Sequence, residues 1–145
     1  MPYSPLVAPV VALIAWSIVM LIWMGIARQL AFRSLGADLD RRPGFRGSDL
    51  EGKVDPRLQW AAHNYNHLME QPTIFYAVCF ALILMGFDAA INVWLAWIYV
   101  GLRVVHSLVQ ATVNIVPLRG ALFGLSSLCL IGLTTHAALR LILGH

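Results

Sequence analysis

The chain has 145 residues, 59% of them hydrophobic and only 12% charged, with a formal net charge of +3. A charged share about half that of an ordinary soluble domain, with a mean hydropathy of +0.74, excludes a solvated globule and indicates one integral membrane domain. The positive charge gathers in one connection rather than along a recognition helix, which argues against nucleic acid as a partner and for a role in membrane topology.

From Leu6 to Ala27 no charge interrupts the sequence, enough for the ~20 apolar residues that cross a bilayer, and a first span is predicted over about 5–31. Arg28 and Arg33 follow this run and no basic residue precedes it, the reverse of a signal peptide, so the segment is expected to be retained with its amino end outside. Ser4-Pro5 suits a helix start. Between Ser34 and Pro56 the composition turns to Gly, Pro, Arg and Asp, including Arg41-Arg42-Pro43-Gly44, and the chain leaves the bilayer in a polar connection over about 34–56. Asp55-Pro56 supplies the cap and first-turn pair of a second helix, predicted over about 57–86 and bent by Pro72.

Gly86-Phe87-Asp88 is a tight turn with Asp88 as the expected cap of a third span, about 89–112. Asn114 to Arg119 reads as the next turn, and a fourth span follows over about 119–143. The basic residues bracket the first connection, Arg119 marks the third, and the second carries only Asp88. The positive-inside rule then puts connections one and three in the cytoplasm and both termini outside, with Arg140 the one dissenting charge. Cys79 and Cys129 lie in apolar runs and read as small core residues. Gly120, Gly124, Ser127 and Gly132 read as packing contacts between helices, His136 as a polar contact facing the bundle, and His145 as a solvated end.

Two polar stripes interrupt this apolar background. At helical spacing His63, His67 and Glu70 share a narrow face, with Asn66 and Gln71 at its edges. On the third span Tyr99, Arg103, His106, Gln110 and Asn114 share another. Glu70 and Arg103 reach comparable depths, and a charge at mid-membrane costs roughly 2.5–3.5 kcal/mol, so the two are expected to pair. Pro72 cannot donate to the carbonyl of Leu68, and a freed carbonyl would enrich the same region. A structural ion pair with satisfied histidines around it is the plainer alternative, but two charges need few polar neighbours and these stripes offer many. The excess points to a wet or liganded cavity open toward the cytoplasmic side. His63, His67 and Glu70 also have the spacing of a zinc or iron site, a further alternative.

Four spans, a basic first connection, Glu70-x-Pro72 with Phe75 and Tyr76 following, then Arg103-x2-His106 and Asn114 ahead of Arg119, together resemble the MAPEG family, membrane-associated proteins in eicosanoid and glutathione metabolism. The resemblance implies an all-α four-helix bundle assembled as a homotrimer, with sites for glutathione between subunits near the cytoplasmic side. It implies that Arg119 stabilises the glutathione thiolate, that Glu70 contacts the tripeptide or fixes Arg103, that His106 holds the family's histidine position, and that Arg28 is a basic ligand contact. His67 stands where family enzymes have asparagine and His63 where they have arginine, while Gln110 and Phe123 replace aromatic hydroxyls. Protonated His63 and His67 would restore positive charge. The resemblance thus implies a glutathione-dependent transferase or peroxidase acting on lipophilic electrophiles drawn from membrane lipid, with substrate contacts at Arg28, His63, His67, Glu70, Arg103, His106, Gln110 and Asn114. The missing tyrosines motivate the alternative, a non-catalytic member that binds a lipid or other amphiphile.

Overall fold

The computed structural model describes residues 3–36 and 43–144. Arg41 and Arg42 of the basic connection, and His145, lie outside the described residues. The described residues form the helices α1 (Val7–Leu35), α2 (Arg57–Leu68), α3 (Gln71–Leu84), α4 (Ala90–Thr112) and α5 (Val116–Leu143), with a 3-10 turn at Gly47–Leu50. Counting α2 and α3 as one, four helical segments among the described residues are long and apolar enough to cross a membrane.

The start of α1 is as expected, with the Leu6 N–H donating to Ser4 Oγ at 3.3 Å. Its end is later, because Arg28 to Arg33 contains good helix formers and no breaker; Gly36, at φ 52°, stops it and donates its N–H to Phe32 O. Asp55 Oδ1 accepts the Arg57 N–H at 2.9 Å, so the second span is capped where the sequence indicated.

Pro72 breaks that span outright. Met69 and Glu70 leave the helix, Glu70 at φ −90° and ψ −95°, and α3 restarts with Pro72 in its first turn. A proline there has no N–H to extend α2, but its fixed φ suits the opening of a new helix. Thr73 fastens the restart, its hydroxyl donating to Glu70 O at 2.6 Å.

Two further boundaries differ from expectation. Asp88 makes no cap bond; the cap position falls to Ala89, and the side chain of Asn92 reaches back to donate to Phe87 O at 3.1 Å. The α5 helix opens at Val116, with Pro117 in its first turn, so the connection from α4 is only a few residues long. Asn114 makes that reversal in the left-handed region, φ 53°, where asparagine is tolerated, and its N–H bonds Val109 O at 2.7 Å.

α1 packs chiefly along α2, and α4 along α5. The main core joins Leu6 and Leu13 with Phe75, Leu82, Tyr99 and Leu133, and the Phe75 and Tyr99 rings stack with centroids 4.4 Å apart. Cys79 and Cys129 are free and buried. No more than 39% of any span's most apolar window is buried inside the chain, leaving side chains such as Ile22, Phe80, Trp94, Leu128 and Ile131 facing outward. Apolar faces of that extent belong against lipid or another subunit. Arg140 rests 5.2 Å above the Phe87 ring, which accommodates a cation at that end of the bundle.

Candidate functional site

The break between α2 and α3 builds the site. A helix end leaves its last carbonyls short of partners, and here Arg103 of α4 reaches across to His67 O, Nη2 donating at 3.2 Å beside the longer 3.4 Å bond from the Glu70 N–H. Arg103 is fully buried, its guanidinium 5.7 Å from the Phe123 ring, and neither Nε nor Nη1 has a partner among the described residues. The carbonyl that the missing Pro72 N–H leaves is that of Leu68, whereas the one Arg103 bonds is that of His67.

The expected pair of Glu70 and Arg103 is not formed. Glu70 sits at the break, outside helical geometry, and its side chain is 68% exposed while Arg103 is sealed inside. Its Oε2 meets His67 Nδ1 at 2.9 Å instead. Both charges thus converge on His67, one through its backbone and one through its ring.

The space beside them is not filled with hydrocarbon. A cavity of about 350 Å³ opens there, bounded by His63, His67 and Glu70 from the α2–α3 break, His106 and Gln110 from α4, and Val116, Arg119, Gly120 and Phe123 from α5. Its floor is a group of rings: His67 lies 5.0 Å from His106 and 5.4 Å from Phe123 between centroids. Arg119 enters from the first turn of α5, its Nη1 donating to Asn114 Oδ1. Gln110 is buried with Oε1 unpartnered among the described residues.

Of the residues singled out from sequence, His63, His67, Glu70, His106, Gln110 and Arg119 line this cavity. Asn114 stands beside it as the support of Arg119, and Arg103 is bonded to the backbone of His67. Arg28 is placed elsewhere: its guanidinium occupies the space a side chain at Gly47 would fill. Of the three residues of the metal alternative, His63 turns its Nε2 to Glu51 Oε1 at 3.0 Å, while His67 meets Glu70. Among the described residues no three His, Cys, Asp or Glu side chains are grouped to hold a metal ion.

Gln71, at the edge of the stripe, ties helices together instead: Nε2 donates to Ser127 Oγ at 2.7 Å and Oε1 accepts from Tyr99 at 3.3 Å. Three residues escaped the sequence reading. Asn64 and Ser107 are fully buried with side-chain atoms unpartnered among the described residues, one turn before His67 and one turn after Arg103 respectively. Their helical spacing from those two residues was the available signal. Glu51, which takes His63, lies in the irregular connection and gave none.

A family model described as the MAPEG family matches residues 6–139. No curated protein matches the chain, and no solved structure does.

Proposed function

The chain belongs to the MAPEG family along nearly its whole length, and from that premise we propose that it binds glutathione in the cavity beside the α2–α3 break and acts as a transferase or peroxidase on lipophilic electrophiles. The family includes glutathione transferases and peroxidases as well as non-catalytic members, so the cavity must carry the choice. The supporting observation is Arg119, a cation on the cavity wall whose guanidinium is fixed by Asn114.

The residues present fit the tripeptide. About 350 Å³ lies at the lower end of the ~300–1,000 Å³ common for ligand clefts. Arg119 offers charge and donors to an anionic group, Glu70 a carboxylate to an ammonium group, and Gln110 an amide oxygen that lacks a partner among the described residues. Bound glutathione would supply the thiol whose sulfur attacks the electrophile. Arg119 would hold the thiolate form by placing fixed positive charge beside it. The electrophile would arrive from lipid along the outward-facing apolar helices. In the same reading the molecule is a homotrimer with sites completed between subunits, its first and third connections are cytoplasmic, and both termini are outside.

Calorimetric titration of detergent-purified protein with glutathione tests the proposal: saturable binding, weakened in Arg119→Ala, is expected, and absence of binding at millimolar ligand rejects it. One observation favours a second reading, a pocket for an amphiphile without catalysis. Among the described residues no tyrosine lines the cavity, and Gln110 and Phe123 occupy its wall. Lipid retained through purification, together with no thiol-dependent turnover, would select that reading.

A further inference from the structure

The bond between His67 and Glu70 has a chemical consequence beyond filling a family position. A carboxylate can only accept, so the 2.9 Å contact between Glu70 Oε2 and His67 Nδ1 places the ring proton on Nδ1. The other nitrogen, Nε2, keeps a lone pair. Among the described residues no group bonds it, and the ring lines the cavity whose wall also carries Arg119. An imidazole oriented by a carboxylate beside a fixed cation is the arrangement by which proteins take a proton from a nucleophile and hold the anion that results.

We propose that His67, oriented by Glu70, is the base that accepts the thiol proton of the bound substrate while Arg119 holds the sulfur. This rests on the glutathione reading above and adds to it where the proton goes. In the step the S–H bond breaks, its electron pair stays on sulfur, and an N–H bond forms at His67 Nε2. The imidazolium is then balanced by the Glu70 carboxylate, and the thiolate by Arg119. When the electrophile loses its leaving group, that group takes the proton back from His67. For this proton Glu70 acts through the ring and is a positioning residue, and the contact with His67 uses only its Oε2.

His63 has a carboxylate of its own on Nε2, from Glu51, but its side chain is 44% exposed against 25% for His67, whose ring packs against His106 and Phe123 in the floor of the cavity. His106 stands on α4 with its ring 5.0 Å from that of His67, and among the described residues no carboxylate bonds it to orient it as Glu70 orients His67.

The test counts protons. Glutathione is titrated into the full-length protein in buffers of different ionisation enthalpy at about pH 7.5, between the ordinary ranges of histidine (~6.5) and a thiol (~8.5). Ultraviolet absorbance of the thiolate is read in parallel. The wild type is expected to form thiolate with almost no net release of protons, because His67 keeps them. His67→Asn, which restores the residue of family enzymes, is expected to release about one proton per thiolate formed. Glu70→Gln keeps the ring but removes its balancing charge, and its release is expected to lie between the two. Equal release per thiolate in the wild type and both variants overturns the proposal while leaving glutathione binding intact. If His67→Asn fails to fold, Glu70→Gln decides: release equal to the wild type overturns it. Failure of the wild type to bind glutathione removes the underlying reading instead.

Discussion

The two ends of the bundle treat their polar groups differently. At the end carrying the α3–α4 turn, His136 Nδ1 meets Asn92 Oδ1 at 2.6 Å and the same asparagine donates to Phe87 O, so the group is closed on itself. At the cavity end, side-chain atoms of Asn64, Arg103, Ser107 and Gln110 are buried with no partner among the described residues. Each such atom costs about 1–3 kcal/mol if nothing meets it, against a total stability of roughly 5–15 kcal/mol for a folded protein. A fold does not keep several of these dry. The closed end is therefore structural, and the open end is built to be completed by water or by a ligand.

That contrast can be broken by experiment. The largest effect is expected from Arg119→Ala, which should lower thiol-dependent kcat/KM by about 10²–10³-fold, the loss typical when one stabilising donor is removed from a developing anion. A turnover assay under saturating glutathione measures it, and unchanged turnover would detach Arg119 from the chemistry. Asn92→Ala should do the reverse, lowering unfolding stability in detergent by about 1–3 kcal/mol through the orphaned His136 while leaving glutathione affinity unchanged. Weakened affinity in that variant would mean the two ends are coupled. The smallest effect belongs to Gly47→Ala: the added methyl meets only the far end of the flexible Arg28 side chain, so stability should fall by less than ~1 kcal/mol. If glutathione affinity drops sharply in Gly47→Ala, the position of Arg28 is part of the site after all.

Much of this architecture could be read from the residues. The uncharged runs marked the spans, and Asp55-Pro56 and Ser4-Pro5 marked two helix starts, because capping is local chemistry. Gln110 was legible because helical spacing fixes a face, whereas Arg119 was singled out by the family resemblance. The break at Met69 and Glu70 was visible only as a bend, since Pro72 shows that a bond is lost but not that the guanidinium of Arg103, 36 positions after His67, reaches the His67 carbonyl. Once the helix breaks, depth along it still follows from residue counting but direction around it does not. The pairing of Glu70 with Arg103 failed on that point. Pro117 was ambiguous in a similar way, because a proline that ends one turn also opens a helix.

The early opening of α5 has an electrical consequence. Its first residues, Val116, Arg119 and Gly120, stand on the cavity wall, so the positive pole of that helix, about half an elementary charge, is directed at the same space as the guanidinium. The negative pole of α2 ends at the same place but is met by Arg103. With one dipole neutralised and the other left bare, the field inside the hollow is biased toward anions before any side chain titrates.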